Sequence, residues 1–382
     1  MMSNQVKLTS VEFIDITVNY RTRWTMAKFL DSEGISSLVE LTISNDEKTL
    51  ATCKIISEAL HHLKNRCVVN EADIPKLLNV PLNVLQTDLI KATAISCLRS
   101  AIFQNQSTQK GLTLTEALGG KLTESIQLYA NINRSMSDNR SPEAFASMAS
   151  WAVDNGFEII KCAPFDEVTA SKSSKEIVEM ATLGVKRVST IRDTVGDNIR
   201  ILVDCHSRFD ETSAIIVSKE LSEVGVEWFE EPINPKSCTE VQKRIASSSP
   251  IPISGGELLY GRNSFNKLVS NESLMTIMPD VKHCGGIKEA VTIGRSAIKA
   301  GRNYSLHSPS GPVSLLASAH ATAAVGGHSA LEHSVKEVDW RYLLLTPLEK
   351  IQQGRLWLPK SAGLGADLNS EIVSKYGSVL VL

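Results

Sequence analysis

The sequence lacks the features typical of secreted, membrane-spanning and nucleic-acid-binding proteins. Its seven cysteines are scattered and include no CxxC pair, so we expect buried reduced thiols rather than a disulfide framework. No apolar run is long enough to cross a bilayer, and the first residues show no basic region or apolar core of a signal peptide. The net charge of −2 gives no sign of a surface for nucleic acid or anionic membrane. We therefore expect a cytoplasmic protein without nucleic-acid or membrane partners.

Low-complexity segments and short solenoid repeats are also lacking, but the pattern of the chain changes near residue 126. Before it, residues 6–19 and 35–43 predict strands and 46–118 predict helices, which together form a small α+β domain over 1–125. After it, short apolar strands alternate with helical stretches up to residue 345. The remaining tail, 346–382, shows no such alternation, and we expect it to pack on the N-terminal domain.

Eight strands are predicted in the alternating region, which is the number that closes a βα barrel. The predicted strands are 126–133, 157–163, 200–205, 226–230, 251–255, 274–279, 303–307 and 329–332.

Acidic and imidazole side chains recur at the ends of these predicted strands. Asp204, Glu230 and Glu257 follow one another at intervals of 26 and 27 residues, Asp280 comes 23 residues later and His307 another 27. A strand, a helix and two loops take roughly that length, so each interval corresponds to one βα unit. Because the carboxyl ends of barrel strands meet at one mouth, we expect these five side chains to face one small volume.

The first three of these residues predict a magnesium site. Asp204, Glu230 and Glu257 offer hard oxygen ligands from neighbouring strand ends, which favours Mg²⁺ over zinc or copper. A single acidic residue at a strand end is more often a helix cap or a solvated charge, but the common interval favours a shared site. Glu231 follows Glu230 directly; strand alternation lets only one face the mouth, and the spacing selects Glu230. A carboxylate substrate on such a metal can lose its α proton to give an enediolate.

Two histidines are candidates for the acid and base of this chemistry. His206 follows Asp204 by two residues, so on an extended strand both side chains point the same way. His307 and Asp280 end adjacent strands, where a carboxylate can fix the imidazole tautomer and raise its basicity.

Three further residues are candidates at the mouth. Lys161 ends the strand before that of Asp204 and could hold a substrate carboxylate or shift neighbouring pKa values; a solvated lysine at the barrel rim is the alternative. Glu332 ends the eighth strand and could donate a proton or polarise the intermediate. His283 lies three residues beyond Asp280 in the loop and could reach the mouth.

The runs around these residues resemble the mandelate racemase subgroup of the enolase superfamily, most closely its sugar-acid dehydratases of the galactonate dehydratase type. The resemblance covers about 125–335 and rests on VDCHSR, WFEEPI, SGGE, MPDVKHCGGI and HSPSGPVSLLAS. It implies a modified (β/α)7β barrel under a capping domain that the C-terminal tail completes, and a homo-oligomer. It also implies Mg²⁺ on the three carboxylates, an Asp280–His307 dyad, His206 as the second acid/base and Glu332 as a stabiliser of the intermediate.

The chain also departs from the family pattern. Racemases of the subgroup carry Lys-x-Lys on the second barrel strand, where this sequence has Lys161-Cys162-Ala163. The Gly-x-Gly-Glu strand end of the cap is replaced by 36–40, SSLVE. Arg23 and Trp24 resemble the cap loop that closes over the site, which makes them candidates for substrate contact, with solvated loop charge as the alternative.

Together these observations predict a Mg²⁺-dependent dehydratase of a small-molecule carboxylate, an aldonic or aldaric sugar acid. His307 would remove the C2 proton and His206 would protonate the departing C3 hydroxyl to give a 2-keto-3-deoxy acid, although the two roles could be exchanged. The alternatives are a racemase, epimerase or cycloisomerase with the same first half-reaction, and a non-catalytic metal-binding barrel.

Overall fold

The N-terminal region forms a small α+β cap. A computed structural model describes residues 5–43, 46–121, 123–136, 139–326 and 330–382. Three antiparallel strands are followed by helices and a 3₁₀ turn at Glu71–Asp73. The elements are β1 (Leu8–Thr17), β2 (Arg23–Asp31), β3 (Ser36–Glu40), α1 (Asp46–Leu63), α2 (Ile74–Leu77), α3 (Leu82–Thr87), α4 (Leu89–Gln109) and α5 (Leu114–Ala117).

Helix α4 contacts both the cap sheet and the second domain. Asp88 caps its first turn by accepting a hydrogen bond from the Lys91 amide. Most of its polar residues are buried, and several of them are hydrogen-bonded to the cap, as when Gln104 exchanges hydrogen bonds with the Leu38 backbone of β3. On the other side, the Ser96 hydroxyl accepts a hydrogen bond from the Gly285 amide. Both faces of this helix are therefore buried, because it lies between the cap sheet and the second domain.

The second region is a barrel of eight parallel strands with seven intervening helices. The elements are β4 (Ser125–Asn131), α6 (Pro142–Asp154), β5 (Ile159–Cys162), α7 (Ser174–Val195), β6 (Arg200–Asp204), α8 (Glu211–Glu223), β7 (Val226–Glu230), α9 (Thr239–Ser248), β8 (Ile253–Gly255), α10 (Arg262–Ser270), β9 (Thr276–Ile277), α11 (Ile287–Lys299), β10 (Asn303–Tyr304), α12 (Pro312–Val325) and β11 (Leu331–Ser334). The parallel order runs from β10 back to β4 and then to β11. This is the (β/α)7β barrel with an N-terminal cap that the sequence predicted.

Several strands are shorter than predicted. The ladder of β9 and β10 covers two residues in each strand, and the chain continues beyond it by single hydrogen bonds, such as that from the His307 amide to the Pro279 carbonyl. The predicted strand 329–332 is observed as β11, two residues later, and its first residue lies outside the described part of the chain.

The C-terminal tail is divided between the cap and the barrel. Its elements, after a 3₁₀ turn at Arg341–Leu343, are β12 (Leu345–Thr346), β13 (Ile351–Gln352), β14 (Arg355–Trp357), β15 (Asp367–Leu368), α13 (Ser370–Tyr376) and β16 (Gly377–Val379). Strand β16 pairs with β1 of the cap. The β13–β14 hairpin instead pairs with barrel strand β4, so this part of the tail lies on the barrel. None of the described helices is long and apolar enough to span a membrane.

Candidate active site

The predicted metal ligands meet at the mouth of the barrel. One oxygen from each of Asp204, Glu230 and Glu257 lies within 4.8 Å of the other two. Asp204 and Glu230 are register partners at the ends of β6 and β7, so alternation points both side chains inward. Glu257 follows β8 across Gly255 and Gly256, both of which have positive φ. The similar intervals in the sequence therefore bring the three carboxylates to one end of the barrel, although Glu257 lies three residues beyond Ser254, the register partner of Glu230.

The donor set fits a divalent cation. The Glu230 Oε2 atom is buried and has no hydrogen-bond partner among the described residues, and a carboxylate oxygen left in this way is costly without a cation. Burial raises the pKa of Glu230 well above its ordinary value, with Lys161 opposing the shift and Asp204 adding to it. Three hard oxygens around one point are ligands that Mg²⁺ prefers.

Lys161 lies inside this cluster rather than at its rim. Its side chain is fully buried, and its Nζ atom is 2.6 Å from Glu230 Oε1, 3.0 Å from Glu332 Oε1 and 3.4 Å from Asp204 Oδ2. Burial lowers the pKa of Lys161, but these carboxylates raise it well above its ordinary value. The ammonium group therefore serves to balance the acidic cluster, and the alternative of a solvated rim lysine is excluded.

Glu332 is held as an ionised acceptor. Its Oε1 atom accepts hydrogen bonds from Lys161 and from the Asn131 amide group at 2.8 Å, and its Oε2 atom accepts one from the Ser308 backbone at 2.9 Å. Burial raises the pKa of Glu332, but Lys161 and His307 lower it by more, so the net shift is downward. Of the two roles considered from sequence, electrostatic polarisation fits this geometry better than proton donation.

The predicted Asp280–His307 pair is present. His307 Nδ1 lies 2.9 Å from Asp280 Oδ2, and His307 Nε2 lies 3.0 Å from Glu257 Oε2. The imidazole therefore connects the carboxylate of the dyad to the cluster formed by Asp204, Glu230 and Glu257. Burial lowers the pKa of His307, but Glu257 and Asp280 raise it by more. This arrangement gives a positioned imidazole whose Nε2 atom faces the mouth.

Two further residues lie next to Asp280. The Lys282 Nζ atom lies 2.6 Å from Asp280 Oδ2, the same oxygen that contacts His307, and sequence reasoning missed this lysine. His283, which was expected to reach the mouth, is buried; its Nε2 atom lies 3.9 Å from the same Asp280 oxygen, and its Nδ1 atom lies 2.9 Å from the Thr93 hydroxyl of α4. Burial lowers the pKa of His283 to about 3, so it is a neutral contact between barrel and cap.

His206 reaches the carboxylate cluster by a route other than the one predicted. Strand β6 ends at Asp204, and His206 has a φ of 48°, so the backbone is not extended there. This turn still brings His206 Nε2 to 3.2 Å from Asp204 Oδ2 and leaves about half of the side chain exposed. Asp204 raises the pKa of His206, against the effect of burial. The position predicted for His206 is correct, but the argument from strand alternation is not its cause.

Glu231 is a further site residue that the sequence argument set aside. Strand β7 ends at Glu230 and Glu231 has a φ of 38°, so strand alternation does not set its direction. Its Oε1 atom accepts a hydrogen bond from the Gly256 amide at 2.8 Å. Burial and the nearby Glu257 raise its pKa to about 8. A Cβ atom on Gly255 would lie 2.7 Å from the Glu231 side chain. The Gly255-Gly256 pair was the signal in the sequence that could have indicated Glu231, because a glycine at position 255 leaves room for the Glu231 side chain.

Comparison with known proteins agrees with this geometry. Residues 144–372, more than half of the chain, match the family model described as enolase C-terminal domain-like. The chain belongs to this family. The resemblance to the enolase superfamily inferred from the five sequence runs is therefore confirmed.

Several relatives of this enolase-like chain act on sugar acids or their lactones. It is 27% identical over 291 residues to D-xylonate dehydratase of Haloferax volcanii, covering 74% of this chain and 69% of the relative. It is 24% identical over 364 residues to D-galactonate dehydratase of Pectobacterium atrosepticum, covering 92% and 90%. It is 25% identical over 303 residues to D-galactarolactone cycloisomerase of Agrobacterium fabrum, covering 75% and 74%. An enolase-superfamily structure from Salmonella Typhimurium superposes with a TM-score of 0.86 at 25% identity, covering 98% of this chain and all of that one.

The cap residues Arg23 and Trp24 both lie in strand β2, not in a loop. Arg23 forms an ion pair with Asp15, but its side chain is 40% exposed and lines a cavity with Asn133 and Arg134 of the barrel, so it stays a candidate for substrate contact. Trp24 is fully buried; its ring centroid lies 6.0 Å from that of Trp340, and the Arg341 guanidinium lies 5.1 Å from its centroid. Trp24 therefore holds the cap against the tail and has no exposed surface with which to contact a substrate.

Glu40, at the end of the divergent SSLVE stretch, joins the cap to the loop that carries His307. Its Oε1 atom accepts a hydrogen bond from the Gly311 amide at 2.8 Å, and its Oε2 atom accepts one from the Ser314 amide at 2.9 Å. These amides belong to the first turn of α12, where backbone donors are otherwise free. A glutamate of the cap thus accepts the hydrogen bonds of backbone amides at the N-terminus of a barrel helix.

Proposed function

We propose that this protein is a Mg²⁺-dependent hydro-lyase that dehydrates an aldonic or aldaric sugar acid to a 2-keto-3-deoxy acid. The observation that carries the proposal is the buried Glu230 Oε2 atom, which has no partner in the described part of the chain, in a three-carboxylate cluster with a histidine on either side. The dehydratase relatives support the same reading.

The metal site would be formed by Asp204, Glu230 and Glu257. A Mg²⁺ ion bound there would stabilise the negative charge that develops on a substrate carboxylate as its α proton leaves. Lys161 and Glu332 hold the inner wall of the cluster in place, because each is already bonded to its neighbours before substrate arrives. Such pre-organised charges need little rearrangement during the reaction.

The two histidines would divide the proton transfers. His307, oriented by Asp280, takes the C2 proton at Nε2, and the resulting imidazolium is stabilised by the two carboxylates that it contacts. His206 donates a proton to the C3 hydroxyl, which leaves as water. The enol product then becomes the 2-keto-3-deoxy acid. Half-exposed His206 is placed for this role because its ring borders both Asp204 and the open mouth.

The residue at position 163 favours dehydration over racemisation. Racemases of the subgroup resemble this chain but have a second lysine here, which serves as a base. Ala163 is buried, and its carbonyl accepts a hydrogen bond from Arg140 at 2.6 Å. An alanine offers no proton acceptor, so the second acid/base must come from another strand, and His206 fits that requirement.

The test is a screen of aldonic and aldaric acids with Mg²⁺, with 2-keto acid formation as the readout. We expect at least one acid to lose water and to yield a product that carries deuterium when the reaction is run in D₂O. Removal of the metal with EDTA should abolish turnover, and added Mg²⁺ should restore it.

Because one relative of this chain is a D-galactarolactone cycloisomerase, sugar lactones should be assayed beside the acids as the matched comparison. Rearrangement of a sugar lactone without loss of water, or C2 inversion of an acid with deuterium uptake alone, would contradict dehydration. No turnover of any acid or lactone in the library would favour a non-catalytic barrel.

A further inference from the structure

The barrel has a second cavity, at the end opposite the metal cluster. It has a volume of about 430 Å³. Its lining includes Arg200, Thr276 and Asn303, the first residues of β6, β9 and β10. It therefore opens at the amino-terminal end of the strands, whereas Asp204, Glu230 and His307 lie at or beyond their carboxyl ends. Its volume is in the range of small-molecule sites.

A single layer of side chains separates this cavity from the active site. Tyr129 and Trp228 line the cavity and lie two residues before Asn131 and Glu230 on their strands, so each points inward one level below a site residue. Their rings meet edge to face with centroids 5.7 Å apart. The cavity is therefore distinct from the catalytic mouth, and a ligand can occupy it without displacing a metal ligand.

Some residues that line the cavity have hydrogen-bond donors without an acceptor among the described residues. Trp228 is 8% exposed, and its Nε1 atom has no hydrogen-bond partner among the described residues; the same is true of Arg302 Nε. Buried donors of this kind are normally satisfied by protein, water or ligand. A group with acceptor atoms would satisfy both.

The charges around the opening favour a negative ligand. Arg200 is paired with Glu227, which also lines the cavity, so these two residues balance. Arg302 has a weaker partner, because its Nη2 atom lies 3.4 Å from Glu272 Oε1, and that glutamate side chain is 72% exposed. Arg302 thus leaves a guanidinium edge available at the rim. A carboxylate is the planar anion that such an edge recognises.

The remaining wall is apolar. Ile159, Leu202, Ile298 and Tyr304 line the cavity together with the two aromatic rings. We propose that the amino-terminal end of the barrel binds a small organic monocarboxylate, with its carbon chain against this wall and its carboxylate at Arg302 and Trp228. This site is additional to the proposed active site and does not depend on the reaction assigned to it.

The proposal can be tested by calorimetric titration of the Mg²⁺-loaded protein with hexanoate, 1-hexanol and sulfate. We expect hexanoate to bind in a 1:1 ratio and to bind more tightly than either comparison compound, because only hexanoate supplies both the anion and the carbon chain. Equal binding of sulfate would show that the apolar wall has no part, and equal binding of 1-hexanol would show that Arg302 has none; either result would overturn the proposal.

Two variants locate the site. Arg302→Gln should weaken hexanoate binding by about tenfold or more, as expected for loss of a charged hydrogen bond. Trp228→Phe removes the indole N–H and keeps a ring, and should weaken binding by about two- to tenfold. Arg244→Gln, which removes a paired arginine on α9 outside the cavity lining, is the matched control and should change nothing. If hexanoate binds the Arg302 variant as tightly as the wild type, the carboxylate lies elsewhere and the proposal is wrong.

Discussion

At the scale of single residues, Lys161 is the buried cation that counterbalances three carboxylates. It contacts Asp204, Glu230 and Glu332 within 3.4 Å, and none of its side chain is exposed. In the absence of metal, Lys161→Met should lower the free energy of unfolding by about 3–5 kcal/mol, because it leaves buried carboxylates uncompensated. The same change should tighten Mg²⁺ binding, since a competing cation is removed. Urea denaturation in EDTA and calorimetry with Mg²⁺ measure the two effects.

Lys175→Met is the matched control for that experiment. The Lys175 side chain is 88% exposed, and its nearest acidic partner, Glu179, is 3.9 Å away, so neither stability nor Mg²⁺ affinity should change noticeably. Weaker Mg²⁺ binding in the Lys161 variant would mean that the lysine positions the ligands rather than balancing their charge.

Also at the residue scale, Asp280 and His307 should behave as one catalytic unit. Their side chains are 2.9 Å apart, and removal of a positioned base typically costs about 10²–10⁴-fold in rate. Because residues that act together are not additive, Asp280→Asn, His307→Asn and the double variant should lose turnover to a similar extent. Steady-state kinetics on the acid identified in the screen give these values.

His206→Asn is the comparison that separates acid from base. It should block loss of the C3 hydroxyl and leave slow exchange of the C2 proton with D₂O, which NMR detects. If His206→Asn abolishes exchange and His307→Asn retains it, the two roles are exchanged. Full activity of both variants would exclude the mechanism.

At the scale of secondary structure elements, Glu40 joins strand β3 of the cap to the first turn of barrel helix α12. Both of its carboxylate oxygens accept backbone hydrogen bonds, from Gly311 and Ser314. Glu40→Gln should cost about 1–3 kcal/mol of unfolding free energy, because an NH₂ group would face a backbone donor that it cannot satisfy. It should also raise KM more than it lowers kcat, since the cap would close less firmly over the His307 loop.

Glu371→Gln serves as the control, because Glu371 also lies in the first turn of a helix, α13, but is exposed. Urea denaturation and steady-state kinetics on both variants measure the effects. Equal effects of the two substitutions would indicate that Glu40 is an ordinary helix-end charge with no special part in joining the domains.

At the scale of the whole molecule, buried histidines make stability depend on pH. His320 lies between Thr115 and the Leu364 carbonyl of the tail, and burial lowers its pKa to about 4. The unfolded chain therefore binds a proton below pH 6.5 that the folded chain does not. The free energy of unfolding for this reason decreases as pH falls from 6.5 towards 4. Glu231, with a pKa of about 8, acts in the opposite direction because the folded chain binds its proton first.

His320→Gln isolates one of these opposing effects. Between pH 7 and 5 the wild type should lose about 2 kcal/mol more unfolding free energy than the variant. Urea denaturation at both pH values measures the difference. The exposed His62, replaced by Gln, should leave the pH dependence unchanged. A His320 variant with the wild-type pH dependence would show that this histidine is protonated in the folded chain.

The interval between strand ends made most of the active site predictable from sequence. Parallel barrel strands repeat one βα unit, so residues at similar intervals reach the same end of the barrel, and Asp204, Glu230 and Glu257 came together as predicted. The same argument paired Asp280 with His307 across adjacent strands. Spacing in the sequence predicts which residues of neighbouring barrel strands lie close together, because each strand pairs mainly with the next one.

Tertiary structure alone decided the contacts between distant segments. The ion pair of Lys282 with Asp280, the burial of Trp24 and the pairing of β14 with β4 have no counterpart in any local periodicity. His206 reaches Asp204 through a backbone turn that strand alternation does not foresee. Periodicity fixes the height and face of a residue on its own strand. Which side chain lies opposite, and whether it is buried, depends on how the cap, barrel and tail pack together, and that is settled only in the folded molecule.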